Sequence, residues 1–221
     1  MRFDVQTFDV ERFDAVLARG LSNGVGDRDG QMCIEAAICA VLDLPHGDDP
    51  GCVAEAVRSY KITLNDAAWS SPEARAAGLR DLGLAQLGSL GVVDDREFAR
   101  LMAEKTIRVI IPRFFREVFP KNAACLAAAD TCEKQGTEQS AWSAARSAES
   151  AWSAARSAWS AARSAAWSAA RSAESAARSA ESAARSARRA DAYLIASAQL
   201  ALEVLRELNS PGCALLEPVN A

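Results

Sequence analysis

The chain of 221 residues has one histidine, His46, and only 6% aromatic residues. A nucleophile would therefore have a single imidazole to draw on. No stretch approaches the ~18 uninterrupted apolar residues of a membrane-spanning helix, so no membrane partner is expected. Period-two alternation, the signature of half-buried strands, is absent. The opening run Met1-Arg2-Phe3-Asp4-Val5-Gln6-Thr7-Phe8-Asp9 carries acids and no apolar core, unlike a secretory signal. Six cysteines without that signal point to free thiols in a reducing cytoplasm. No Cys-x₂-Cys pair occurs, and between Gly136 and Pro211 there is neither glycine nor proline. The composition excludes collagen, a small disulfide scaffold and a membrane protein.

Charge is unevenly spread. Residues 1–136 hold 16 Lys+Arg against 21 Asp+Glu, a balance of −5, whereas residues 140–189 hold eight Arg and three Glu, a balance of +5. An acidic globule carries a basic arm, which suits either nucleic-acid contact or head-to-arm self-association.

Residues 1–136 read as a compact all-α domain. Val10, Phe13, Val16 and Leu17 share a helix face that ends at Gly20, and a glycine-rich loop, Gly24 to Gly30, follows. Residues 31–42 are apolar almost all round, as a central buried helix would be. A helix is expected from Cys52 to about Lys61. Another opens at Ser71-Pro72, with Ser as N-cap and Pro at the first helical position. Asp94 and Glu97 resemble a capping box that opens a helix through Ile107 and beyond, which Pro112 should kink or end. Pro120 separates it from a last helix over 121–133.

Residues 137–209 read as a long Ala/Ser/Arg/Trp-repeat helix, and 210–221 as a tail. Unbroken, the span between Gly136 and Pro211 would reach ~110 Å, against about 35–40 Å for a globule made from the preceding residues. The helix must project, fold back or find another chain. At about 100° per residue, Trp142, Trp152, Trp159 and Trp167 share one arc with the arginines, and the opposite arc is only Ala. Each of these Trp precedes an Arg by four, giving Trp142/Arg146, Trp152/Arg156, Trp159/Arg163 and Trp167/Arg171, the spacing for a guanidinium over an indole. The bulky stripe can thus satisfy itself and leave a smooth Ala face for close helix approach, coiled-coil-like with slight left-handed supercoiling. After Arg189 large apolar residues return: Tyr193, Leu194, Leu200, Leu202, Val204, Leu205 and Leu208 are expected to dock on the N-terminal domain.

Asp29-Gly30-Gln31-Met32-Cys33-Ile34-Glu35-Ala36, then Asp48-Asp49-Pro50-Gly51-Cys52, then Leu64-Asn65-Asp66-Ala67, resemble a group of uncharacterised bacterial and phage proteins over residues 24–90. The resemblance implies an accessory protein of a phage or mobile element, and it brings no catalytic residue with it.

Candidate sites have plain structural alternatives. Cys33 opens a helix, where amide dipoles could activate a thiol, but a helix and turn separate it from His46 by roughly 15–20 Å. Zinc could draw on Cys33, Cys39, His46 and Cys52, but the spacing is poor; Asp43, Asp48 and Asp49 suit a helix-capping turn better than a hard cation. The glycine-rich loop lacks the Lys-Ser/Thr of a phosphate-binding loop. The expectation is a non-enzymatic interaction protein, without metal or cofactor. It self-associates or grips a protein partner through the repeat helix, with Trp142, Trp152, Trp159, Trp167, Arg156, Arg163 and Arg171 on one arc and the Ala face on the opposite one. Nucleic acid is disfavoured, because the chain is −4 overall. The alternative is a small-molecule binder or Cys-dependent enzyme built on Asp29, Cys33, Glu35, Asp48 and Asn65.

Overall fold

A computed structural model describes residues 3–151 and 173–216, with side chains described outside 173–189. The fold is all-α; the only bridges among the described residues are two isolated ones, Leu21 with Met32 and Gly26 with Met32. No helix among the described residues is long and apolar enough to cross a membrane. The chain divides into two compact units, Met1–Met102 with Arg185–Ala221, and Ala103–Ala184.

The first unit is assembled from α1 (Val10–Leu17), α2 (Ile34–Val41), α3 (Glu55–Asn65), α4 (Pro72–Ala85), most of α5 (Asp95–Lys105) and the end of the long α9 (Ala173–Glu207). Helix starts follow side-chain chemistry. The Asp9 carboxylate accepts the Arg12 N–H, Ser71 Oγ the Ala74 N–H, and Asp94 the Glu97 N–H, each cap worth about 1 kcal/mol. As expected, α2 is the central helix, with Ile34 to Cys39 and Val41 all buried. It starts at Ile34 rather than 31, because Met32 is held extended by the two bridges and Cys33 is the cap. The helix expected from Cys52 starts at Glu55 instead: Leu90 N–H is donated to Cys52 O, and Ala54 N–H to Ser89 Oγ, so the preceding residues stay non-helical. Gly78 lies beneath Trp69, where a Cβ would come within 2.4 Å of the indole.

The apolar C-terminal end of α9 docks on this unit, as the return of large residues requires. Leu200, Ala201, Val204 and Leu205 are buried, and Tyr60 donates its hydroxyl to Ser197 O. Asp191 accepts both the N–H and the hydroxyl of Ser70.

The second unit contains a π-helical turn, Thr106–Ile110, then α6 (Ile111–Val118), α7 (Ala123–Gln135) and α8 (138–151). Pro112, in the first turn of α6, has no N–H to continue the ladder, and the π turn precedes it. Arg108 projects from that turn and donates to the Glu133, Lys134 and Gln135 carbonyls at the end of α7. Gly136, at φ 62°, turns the chain into α8. Ala144 and Ala151 of α8 are buried against Cys125, Ala129, Cys132 and Phe115. The two thiols point at α8 carbonyls, Cys125 Sγ 3.6 Å from Ser147 O and Cys132 Sγ 3.4 Å from Ser140 O. Both pairs give the same antiparallel register, and both require close backbone approach. Small residues allow it.

Candidate functional site

The most unusual chemistry of the first unit lies where α2, α3 and the end of α4 meet. Glu35 and Lys61 are fully buried, with Lys61 Nζ 2.9 Å from Glu35 Oε1. Gln86, capping α4, donates its amide to Glu35 Oε2 at 3.0 Å. Among the described residues, the ion pair is the one polar contact of Lys61 Nζ and Glu35 Oε1, and Gln86 Oε1 has none. Burial pulls Lys61 below the usual lysine pKa, against the opposing pull of the Glu35 charge. Lys61 and Gln86 were not among the sequence candidates. For Lys61 a signal was present, because it falls in the buried stripe of Val57 and Leu64, opposite a Glu35 that interrupts a helix otherwise apolar all round.

Beside this cluster lies a cavity of about 60 Å³ lined by Gly24, Cys33, Glu35, Asp48, Asn65 and Asp66, with Val25, Ile34 and Ile62. It brings together four of the five sequence candidates. Asp29 lies elsewhere, in a shallow groove of about 330 Å³ with Arg12, Arg19, Arg28 and Asp43. Most polar groups of the cavity already have structural partners. Asn65 Oδ1 accepts the Ile34 N–H and its amide donates to Ser22 O and Asp66; Asp66 also accepts the Gly24 N–H. Asp48 faces Arg58 at 3.8 Å. Cys33 Sγ accepts the Ala36 N–H at 3.3 Å.

That cap does not activate the thiol. Burial outweighs the amide contribution and pushes the Cys33 pKa up; Cys52 is raised for the same reason, and Cys39 to about 11. The expected distance between Cys33 and His46 needs correction, since the loop folds back. Cys33 N–H is donated to Val25 O, and His46 Nε2 lies 3.2 Å from the adjacent Gly26 O. A carbonyl only accepts, so that ring nitrogen is the donor. Among the described residues, no group of three or more His, Cys, Asp or Glu is placed to hold a metal ion. The cavity admits a few waters, whereas a metabolite pocket needs about 300 Å³ or more.

Of the repeat residues, Trp142 is 59% exposed. Its indole donates to Glu138 at 3.2 Å, and Arg146 donates to Ser143 at 3.2 Å. The expected Trp142/Arg146 stacking gives way here to hydrogen bonds that each side chain makes within its own turn. Trp152, Trp159, Trp167, Arg156, Arg163 and Arg171 lie outside the described residues.

Neither a known protein family, nor a curated protein, nor a solved structure matches this chain.

Proposed function

We propose that the chain is a non-enzymatic interaction protein that associates through its Ala/Ser/Arg repeat, copy with copy or with a partner helix. The observation that carries this reading is the α7–α8 register. The pairs Cys125/Ser147 and Cys132/Ser140 put the α7 cap Asn122 opposite residue 150. The repeat sequence continues to Arg185 with alanine at every next four- or three-residue step: Ala144, Ala148, Ala151, Ala155, Ala158, Ala162, Ala165, Ala169, Ala173, Ala176, Ala180 and Ala183. An Ala face that packs a helix along its first two turns keeps its pattern well past the end of that helix. Alanine buries little area per residue, so such a face gains from a long, closely packed partner rather than from large knobs. Six unpaired thiols, five of them buried, fit a reducing cytoplasm, and the resemblance to bacterial and phage proteins fits an accessory role. The small, internally bonded cavity at Cys33 does not favour the small-molecule alternative. Sedimentation velocity of the full chain from low to high micromolar concentration tests the reading: a concentration-dependent assembly, or a co-purifying helical partner, is expected, and a lone monomer throughout opposes it.

A further inference from the structure

A groove of about 180 Å³ separates α4 from the docked part of α9, within the first unit. Its floor is apolar and small, from Gly78, Leu82, Ala198 and Leu202, with Ile195 at one edge and Asp81 on the rim. Ile195 is 38% exposed, one of the few large apolar side chains left open to solvent among the described residues. The volume is too small for a metabolite and suits one large side chain. Asp81 touches Arg80 at 3.0 Å, but Arg80 is gripped mainly by both oxygens of Asp14, at 2.7 and 2.8 Å. The Asp81 side chain remains 59% exposed.

The chain itself carries the matching shape. Trp142 and Arg146 stand one turn apart on α8; the first is exposed and donates to Glu138, and the second donates to a serine hydroxyl. An exposed indole is followed by a guanidinium about 6 Å along the helix, and tryptophan and arginine are among the residue types most enriched at the energetic centres of interfaces. Charge favours the encounter. The first unit holds 14 Lys+Arg and 21 Asp+Glu, a balance of −7, and the second 11 and 8, a balance of +3. We propose that the α4–α9 groove seats Trp142 and Arg146 of a second copy of this chain, the indole on the apolar floor and the guanidinium on Asp81. The contact is reciprocal, each copy offering one groove and one Trp–Arg pair. This rests on the self-association reading and names its surface.

The test is sedimentation equilibrium of the wild type, Ile195→Glu, Ala77→Glu and Trp142→Ala, alone and mixed. Ile195 and Ala77 are both exposed at the groove, so the second variant guards against a folding defect in the first; helical content and Tm are read in parallel. Each variant alone should associate at least tenfold more weakly than the wild type, with helical content unchanged and with the Tm that the wild type shows at dilutions where it is dissociated. Mixing Ile195→Glu with Trp142→Ala should restore a one-to-one complex, because one intact groove then meets one intact Trp. Wild-type association in both groove variants, or no complex on mixing, overturns the groove and leaves self-association standing. A monomeric wild type overturns both.

Discussion

Lys61 Nζ lies 2.9 Å from Glu35 Oε1 with neither side chain exposed, so the core of the first unit is closed around an ion pair. Neither partner can be removed singly without leaving a bare charge or an unpaired polar group in the core. Lys61→Met or Glu35→Leu alone should cost about 3–5 kcal/mol, whereas the double variant should cost less than either. Urea unfolding of the four proteins measures this. A double variant weaker than both singles would mean the pair contributes net stability.

Alkaline pH should destabilise the protein. Burial raises the pKa values of Cys33, Cys39 and Cys52 above 9.0, with Cys39 at about 11, and raises Cys125, Cys132 and Cys213 as well; Tyr60 rises to about 12. Above pH ~9 the unfolded thiols have lost protons that the folded ones keep, so rising pH favours unfolding. Lys61 acts in the opposite sense. Its folded pKa is depressed, so between that value and the ordinary 10.5 the unfolded state holds the extra proton and rising pH favours folding. The raised groups outnumber it above pH ~9, and the urea midpoint should fall between pH ~9 and pH 10.5. Cys39→Ala should flatten that fall.

These two chemistries show how unevenly the sequence announces the fold. Caps are local, so Asp9, Ser71-Pro72 and the Asp94/Glu97 pair could be read directly and lie where their spacing places them. The buried character of α2 was equally plain, as was the return of large residues after Arg189. Tertiary overrides were not. The start of α3 depends on Ser89 and Leu90, more than thirty residues away. Lys61 and Glu35 sit on different helices, and no spacing rule connects them. Asn65 stands out in the sequence as a polar residue in a motif, and that its amide ties α2 to the Ser22 loop is not visible there. Trp142 was expected on Arg146 and finds Glu138 instead, because both are four residues from the indole.

Arg108 and Gly136 should be energetically coupled. Arg108→Ala removes donors from three terminal carbonyls of α7, at about 1–2 kcal/mol. Gly136→Ala places a side chain at φ 62° and a Cβ 2.5 Å from Arg108 Nε, costing at least ~1 kcal/mol. With Arg108 already gone the clash disappears, so the double variant should lose less than the sum. Denaturant unfolding followed by far-UV circular dichroism reads all three.

The Ala face should tolerate no bulk. Ala144 is fully enclosed by the α7 thiols and their neighbours, so Ala144→Leu should cost ~1–3 kcal/mol through overpacking. Trp142→Ala, on the exposed side, should leave the stability of the dissociated chain, read at dilution, within ~0.5 kcal/mol. Equal losses at the two positions would contradict the division of α8 into a packed face and an open one.

The most direct test of the account is the mass of the full chain in solution, by light scattering behind a sizing column at tens of micromolar and near-physiological salt. A chain of 23.5 kDa that associates through its repeat should elute at twice that mass or more, and should shift towards the single-chain mass on dilution. A species that stays at 23.5 kDa at every concentration, with no helical partner bound, would contradict it.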